Sequence, residues 1–391
     1  MRIGIDASTW DNRRGFGRFT RELVSAMLQL PTAHRFVLFF DGAPPPHLNA
    51  ECVPVTQQRP VTESAVAEGS RSARDLLRFT SAVARRKLDV LFYPAVYSWF
   101  PCPPGLPNLV TLHDAIAEHY PALVFPQWRY RTMWRLKLRL ARWQASRLLT
   151  VSAAAREEIC TYMGEARHRI DLTTEGPKAV FKPQAAEAAP QRHALAARLH
   201  LPAPARWFSF VGGFGPHKNV LGLIDAFAHI AAERTDVHLL LVGDAASAGF
   251  HSNMEQIGAR LQEANLAARV HFTGFVNDDE LALIYATSIA TVLPSFSEGF
   301  GLPIVESMAC GTPVLAANVG SMPEVLGDAG LLFAPDDTPA IAAAMRRLRD
   351  DDALSAELRG RALRRAGLFT WAQAARMALQ SIERCVPVSA R

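Results

Sequence analysis

Ser295-Phe-Ser-Glu298-Gly-Phe-Gly-Leu-Pro303-Ile-Val-Glu306-Ser-Met-Ala-Cys310-Gly311-Thr-Pro-Val-Leu315, followed by Asn318-Val-Gly-Ser-Met-Pro-Glu-Val325, is the stretch on which the reading of this chain turns. The apolar run 289–293 has strand character, and Pro294 and Ser295 end it. Residues 298–301 then fall in a loop at a strand's carboxyl end. Pro303 suits the first helical position and Gly311 the residue just past a short helix. In an open parallel sheet that edge binds ligands. A helix starting there aims unpaired N–H groups and its positive dipole end at an anion. Glu298 in the loop and Glu306 in the expected first helical turn flank this anion site.

Carboxylates beside a phosphate site repel it unless each accepts hydrogen bonds from hydroxyls. A sugar nucleotide carries such hydroxyls on both ribose and hexose, so the pattern points to a sugar-nucleotide pocket. The plainer alternative has Glu306 favouring a helix N-terminus and Glu298 standing in solvent.

Working outward, 391 residues exceed what one hydrophobic core usually organises, so two domains are expected. A hydrophobic share of 49% with 20% charged residues suits a soluble globular enzyme. No apolar run reaches the length of a membrane span, and Met1-Arg-Ile-Gly-Ile-Asp enters a strand directly, without a signal peptide's pattern. Five scattered cysteines without a C-x-x-C pair argue for a reducing compartment and against structural zinc. The net charge of +5 fits an anionic partner.

Gly-Phe-Gly occurs three times, at 15–17, 213–215 and 299–301, each after a strand-like run and before an expected helix. Such loops let backbone N–H groups approach a ligand. The first is expected in a loop spanning 10–19, with a helix from Thr20 to Leu30. Residues 44–58 and 60–72 read as irregular connections. Residues 93–107 hold five prolines and four aromatics, a loop that either exposes its rings as a contact surface for the acceptor or simply packs on the sheet. The strand at 109–112 ends on His113-Asp114, a pair able to donate to sugar hydroxyls or hold a proton near neutral pH; a buried histidine capping a strand end is the alternative.

From 128 to 147 the chain carries seven Lys or Arg and three Trp, and no acid occurs from 119 to 156. Met133, Leu136, Leu140 and Trp143 share one helical face; Arg135, Arg139 and Arg142 share another. An ordinary solvated face or an anionic membrane surface fits this helix. Residues 185–205 are rich in Ala and Pro and read as a linker running into a helix. Alternating strands and helices follow from 207 onward, the pattern of a doubly wound parallel sheet.

The string 298–313, with Gly212-Gly-Phe-Gly-Pro-His-Lys218-Asn219, resembles the donor-site signature of retaining GT-B glycosyltransferases of family four. The resemblance runs through most of the second half. It implies an α/β fold of two facing Rossmann-like domains with a cleft: 1–183 for the acceptor, a linker and first helix at 184–205, 206–370 for the nucleotide sugar, and a last helix, 371–391, returning to the first domain. It also implies roles. Lys218 would bind the diphosphate, Glu298 the transferred sugar and Glu306 the ribose diol. Phe300, Gly301 and Leu302 would offer backbone N–H groups; Gly15, Gly17 and Gly213 are expected at places of close backbone approach from the glycine-loop pattern itself. His113 and Asp114, in a Thr-x-His-Asp string, would line the sugar pocket.

The family commonly carries Arg where this chain has Gly213. That leaves Lys218, helix dipoles, and His217 or Arg18 to balance the diphosphate. The implied reaction is metal-free hexosyl transfer with retention and without a cofactor. GDP-mannose would be the donor, a glycan or lipid-linked oligosaccharide the acceptor, and bacterial surface polysaccharide the product. Nucleic acid is not an expected partner, and the expected place is the cytoplasm, peripheral on the inner membrane face. A non-catalytic sugar-nucleotide binder, a glycan phosphorylase or an epimerase on the same fold are the alternatives.

Overall fold

The computed structural model describes residues 1–57, 72–125, 127–184, 189–199, 201–202, 205–244 and 253–387. Nearly all of the expected connection at 60–72 lies outside them, as do residues 185–188 of the expected linker. Two compact units are present: Met1–Glu175 together with Thr370–Arg391, and Gly176–Phe369.

In the first unit the strands are β1 (Arg2–Asp6), β2 (Arg35–Phe40), β3 (Glu51–Pro54), β4 (Val90–Tyr93), β5 (Asn108–Thr111), β6 (Arg147–Thr150) and β7 (Ile170–Leu172). They form a parallel sheet in the order β3-β2-β1-β4-β5-β6-β7. Inner strands such as β4 are buried along their whole length, as expected of a sheet covered on both faces. The order reverses between β1 and β4, which makes the carboxyl ends of those two strands the crevice of this sheet. The helix Trp371–Cys385 packs into the same unit. Thr370 caps it by accepting from Gln373 N–H at 3.2 Å. Trp371, Ala375, Ala378 and Ile382 face inward, and Trp371 meets Phe19 edge-on at 6.0 Å. Arg384 pairs with Asp171 at 3.0 Å.

Two local expectations are corrected here, and one open alternative is decided. The helix expected at Thr20 begins at Gly15 and runs to Leu28, so Gly15 and Gly17 form its first turn instead of a loop. Gly17 is required by packing: a Cβ there would stand 2.1 Å from the Asn12 carbonyl oxygen. In the loop 93–107, Tyr93, Trp99 and Phe100 are buried, and Tyr97 is sandwiched between Phe16 at 4.8 Å and Trp134 at 5.3 Å. These rings fill the core because a proline-rich loop has few N–H groups to satisfy and so can be buried cheaply. Residues 51–54, expected to be irregular, form edge strand β3, where the terminal Pro54 is tolerated.

The second unit holds β8 (Arg206–Val211), β9 (Val237–Val242), β10 (Val270–Gly274), β11 (Thr291–Leu293), β12 (Val314–Ala317) and β13 (Gly330–Phe333), parallel and ordered β10-β9-β8-β11-β12-β13. Phe208, Leu240, Leu241 and Val292 are fully buried, each contributing about 1.5–3 kcal/mol of hydrophobic stabilisation. Here the reversal falls between β8 and β11. Their carboxyl ends carry the Lys218 and Glu298 loops, so the sequence's two strongest motifs meet at this sheet's switch point.

Candidate functional site

Loop 212–219 leaves β8 and loop 294–301 leaves β11, and Lys218 Nζ lies 2.7 Å from Glu298 Oε1. Ser295, itself buried, donates to the same carboxylate oxygen at 2.8 Å, and Ser321 donates to the Glu298 carbonyl at 2.9 Å. Burial alone would raise the Glu298 carboxyl. The charge and hydrogen bond of Lys218, aided by Ser295 and His217, outweigh it and hold the group below its ordinary value. His217 is pushed down to about 4 by burial and by the neighbouring Lys218 charge. It is therefore neutral at pH 7, so Lys218 supplies the positive charge of this loop. At Gly213, the place where the resembled family commonly has Arg, the backbone is exposed and a Cβ would meet nothing within 4 Å.

Asn219 locks the arrangement. Its backbone is left-handed, at φ +54°, and its side-chain amide donates to Pro294 O at 3.2 Å and Pro335 O at 2.6 Å. One side chain thus ties the ends of β8, β11 and β13 together. Gly301 then caps the helix Leu302–Ala309 at φ +90°, a conformation that favours glycine. Pro303 stands at the start of the helix, where its missing N–H costs nothing, and Gly311 follows its end at φ +72°. Phe300 is buried against Phe369, ring centres 5.7 Å apart, so the loop before the helix is anchored and its backbone is fixed in place.

Glu306 differs in position from its expectation. Leu302 opens the helix, so Glu306 falls in the second turn and not the first. It is 3% exposed and accepts from the Tyr285 hydroxyl at 3.2 Å. Helix-dipole stabilisation fades beyond the first turn, so it does not account for a carboxylate kept buried here. Lys218, Glu298, Phe300, Gly301, Leu302, Glu306 and Gly213 all belong to the second unit.

The first unit carries the other expected residues. His113, just beyond β5, has its ring edge-on to Phe19 at 4.6 Å, and its Nε2 stands 3.0 Å from the Pro94 carbonyl, which only accepts. Nε2 therefore donates to that carbonyl. Glu175 Oε1 lies 3.9 Å from the His113 Nδ1. Asp114 caps the chain ahead, accepting from Ile116 N–H at 3.0 Å. Pro94 follows β4, so His113 is fastened to the switch point of the first sheet. Gly15, in the first turn of the helix after β1, has open space where a Cβ would be. Sequence reasoning did not single out Ser295, Tyr285, Asn219 or Glu175 as site residues; the only signal for each was its place at a strand end or helix facing a motif.

Comparison with known proteins follows this division. A model described as glycosyl transferases group 1 matches residues 193–365, and one described as glycosyltransferase family 4 matches residues 13–176. The chain is 33% identical over 231 residues to the O-antigen chain mannosyltransferase B of Escherichia coli, a match covering 58% of each chain. Among solved structures, sucrose-phosphate synthase from Thermosynechococcus elongatus superposes with a TM-score of 0.75 at 22% identity, over 98% of both chains. Anabaena HepE in complex with UDP-glucose superposes at 0.74 with 19% identity, over 98% of this chain and 100% of that one. The two family models meet the two Rossmann-like units, so the chain carries a family 4 glycosyltransferase domain at 13–176 and a group 1 glycosyl transferase domain at 193–365, on the GT-B fold.

Proposed function

We propose that the chain is a retaining hexosyltransferase that takes mannose from GDP-mannose and delivers it to a hydroxyl of a glycan or lipid-linked glycan in the assembly of a bacterial surface polysaccharide. The observation that carries this reading is the Lys218–Glu298 pair, 2.7 Å apart at a switch point and beside the start of the helix that carries the buried Glu306. The mannosyltransferase relative supports the choice of sugar, and the solved complex of HepE with UDP-glucose supports a nucleotide-sugar donor.

In the proposed reaction the bond from the anomeric carbon to the diphosphate breaks while that carbon bonds the acceptor oxygen on the same face. The departing phosphate oxygen takes the acceptor's proton. Lys218 and the N–H groups at Phe300, Gly301 and Leu302 stabilise the charge developing on the leaving group, the step at which preorganised donors count most. Glu298 and Glu306 accept from hexose and ribose hydroxyls. No metal takes part. A panel of nucleotide sugars, assayed for transfer and hydrolysis with the product anomer read by NMR, tests this. Transfer with retention, undiminished by chelator, is expected. An inverted product or loss of activity in chelator overturns the mechanism, and binding without turnover of any donor favours a non-catalytic sugar-nucleotide binder.

The proposal includes docking on an anionic leaflet through the helix Trp128–Gln144. Among the described residues no helix is long and apolar enough to cross a membrane. This helix instead buries Leu138 and Ala141 and leaves Trp128 (80%), Trp143 (79%), Met133 and Leu136 exposed beside exposed Arg129, Arg135 and Arg139. Interfacial tryptophans and cations suit headgroups, each cation contributing about 1 kcal/mol. Arg142, expected on the solvated basic face, is instead half-buried and bonded to Glu165 at 2.7 Å. Sedimentation with anionic liposomes should therefore weaken when Arg129, Arg135 and Arg139 become Glu; a parent chain that stays in the supernatant at low salt contradicts the docking.

A further inference from the structure

At the amino edge of the second sheet, away from the donor loops, a cavity of about 290 Å³ is lined by Arg192, Arg206 and Arg359 together with Thr287, Ser288 and Ser355. Arg206 is the first residue of β8, and Thr287 and Ser288 lie just before β11, so the sheet stands between this cavity and the donor edge. The three guanidinium groups have no carboxylate within ion-pair distance among the described residues. They bond backbone carbonyls instead: Arg192 to Ala205 at 3.1 Å, Arg206 to Arg349 at 3.2 Å, and Arg359 to Gly311 at 3.1 Å and Ser288 at 3.4 Å. Arg192 also lies over the Trp207 ring at 5.2 Å, which fixes its plane. Each guanidinium carries five N–H groups and spends only one or two of them this way. The sole carboxylate among the lining residues is Asp352, at the exposed rim.

Three half-buried arginines line one cavity, and guanidinium is the side chain best matched to phosphate. The cavity's volume equals roughly ten water molecules at bulk density, room for a phosphate together with a small ring. We propose that this cavity is a second anion site, separate from the donor site, which takes a small phosphate-bearing molecule such as a sugar phosphate.

The site has a physical connection to the donor loops. Arg359 holds the Gly311 carbonyl at the end of the helix Leu302–Ala309, whose other end is the Gly301 cap. A hydroxyl chain also runs inward from the cavity wall, from Ser288 to Ser209 at 3.0 Å, on to Thr291 at 3.1 Å, and to Ser307 of that helix at 2.8 Å. An anion that recruits Arg359 therefore acts on the element that carries Glu306.

The test titrates inorganic phosphate, pyrophosphate and mannose 1-phosphate by calorimetry into the full chain carrying Lys218→Ala and Glu306→Gln, so that the donor site is disabled. One saturable site is expected for at least one probe. Adding Ser355→Asp, which sets a carboxylate among the arginines, should weaken it by about tenfold or more, while Ser355→Ala should not. Arg192→Gln serves as a second variant if the aspartate variant does not fold. Absence of saturable binding for all three probes, or equal binding with and without the added carboxylate, overturns the proposal. Neither result bears on turnover of the donor, which is read separately.

Discussion

Lys218 carries three N–H donors and gives one to Glu298 at 2.7 Å. If it stabilises the leaving diphosphate, Lys218→Ala should lower kcat at saturating donor by about tenfold or more, or about 1.4 kcal/mol. Unchanged turnover would remove it from the chemistry. The neighbouring His217 makes a prediction on stability. Its folded value of about 4, set by burial and the Lys218 charge, lies below the ordinary 6.5. Between those values the unfolded chain binds a proton that the folded chain refuses, so stability falls as pH drops through that window. His238, pushed down to about 4 by burial, His271 and Arg269, acts in the same direction. His217→Gln should therefore reduce, without abolishing, the loss of Tm between pH 6.5 and 4; an unaltered pH slope contradicts the assignment.

At the scale of elements the candidate site depends on loops held in register, and Asn219 is the side chain that holds them. Asn219→Ala removes its bonds to the Pro294 and Pro335 carbonyls while leaving a left-handed backbone that alanine disfavours, and should cost about 2–4 kcal/mol in a denaturant titration. Asn219→Gly relieves the backbone but not the lost bonds and should cost less; equal losses would show that the backbone conformation is irrelevant. The element ending at Gly311 was legible because Pro303 and Gly311 punctuate it locally. The helix start at Gly15 was not. Glycines signal loops, whereas here Gly17 is needed for contact with Asn12, a matter of packing that spacing does not encode. The aromatic loop left two alternatives open for a related reason: whether Trp99 and Phe100 turn outward or inward depends on the sheet and helices beneath them.

Across the whole molecule, alternation of strand and helix signalled two parallel sheets, and the motifs fell at carboxyl ends because strands are recognisable from their own residues. What joins those motifs is non-local. Tyr285 with Glu306, Asn219 with Pro294 and Pro335, and His113 with Glu175 are pairs created by strand order, which no local period reveals. The exposed tryptophans of the helix Trp128–Gln144 sit between these cases: their sequence clustering was plain, but only the fold shows which helix face is left uncovered. The proposed transfer requires the second unit to hold a nucleotide sugar through the helix Leu302–Ala309. Calorimetric titration of GDP into the parent chain and into Glu306→Gln tests it most directly. Saturable binding by the parent, weakened about tenfold or more by loss of a charged acceptor for the ribose diol, is the expected result. Equal affinity of the two chains for GDP would contradict it.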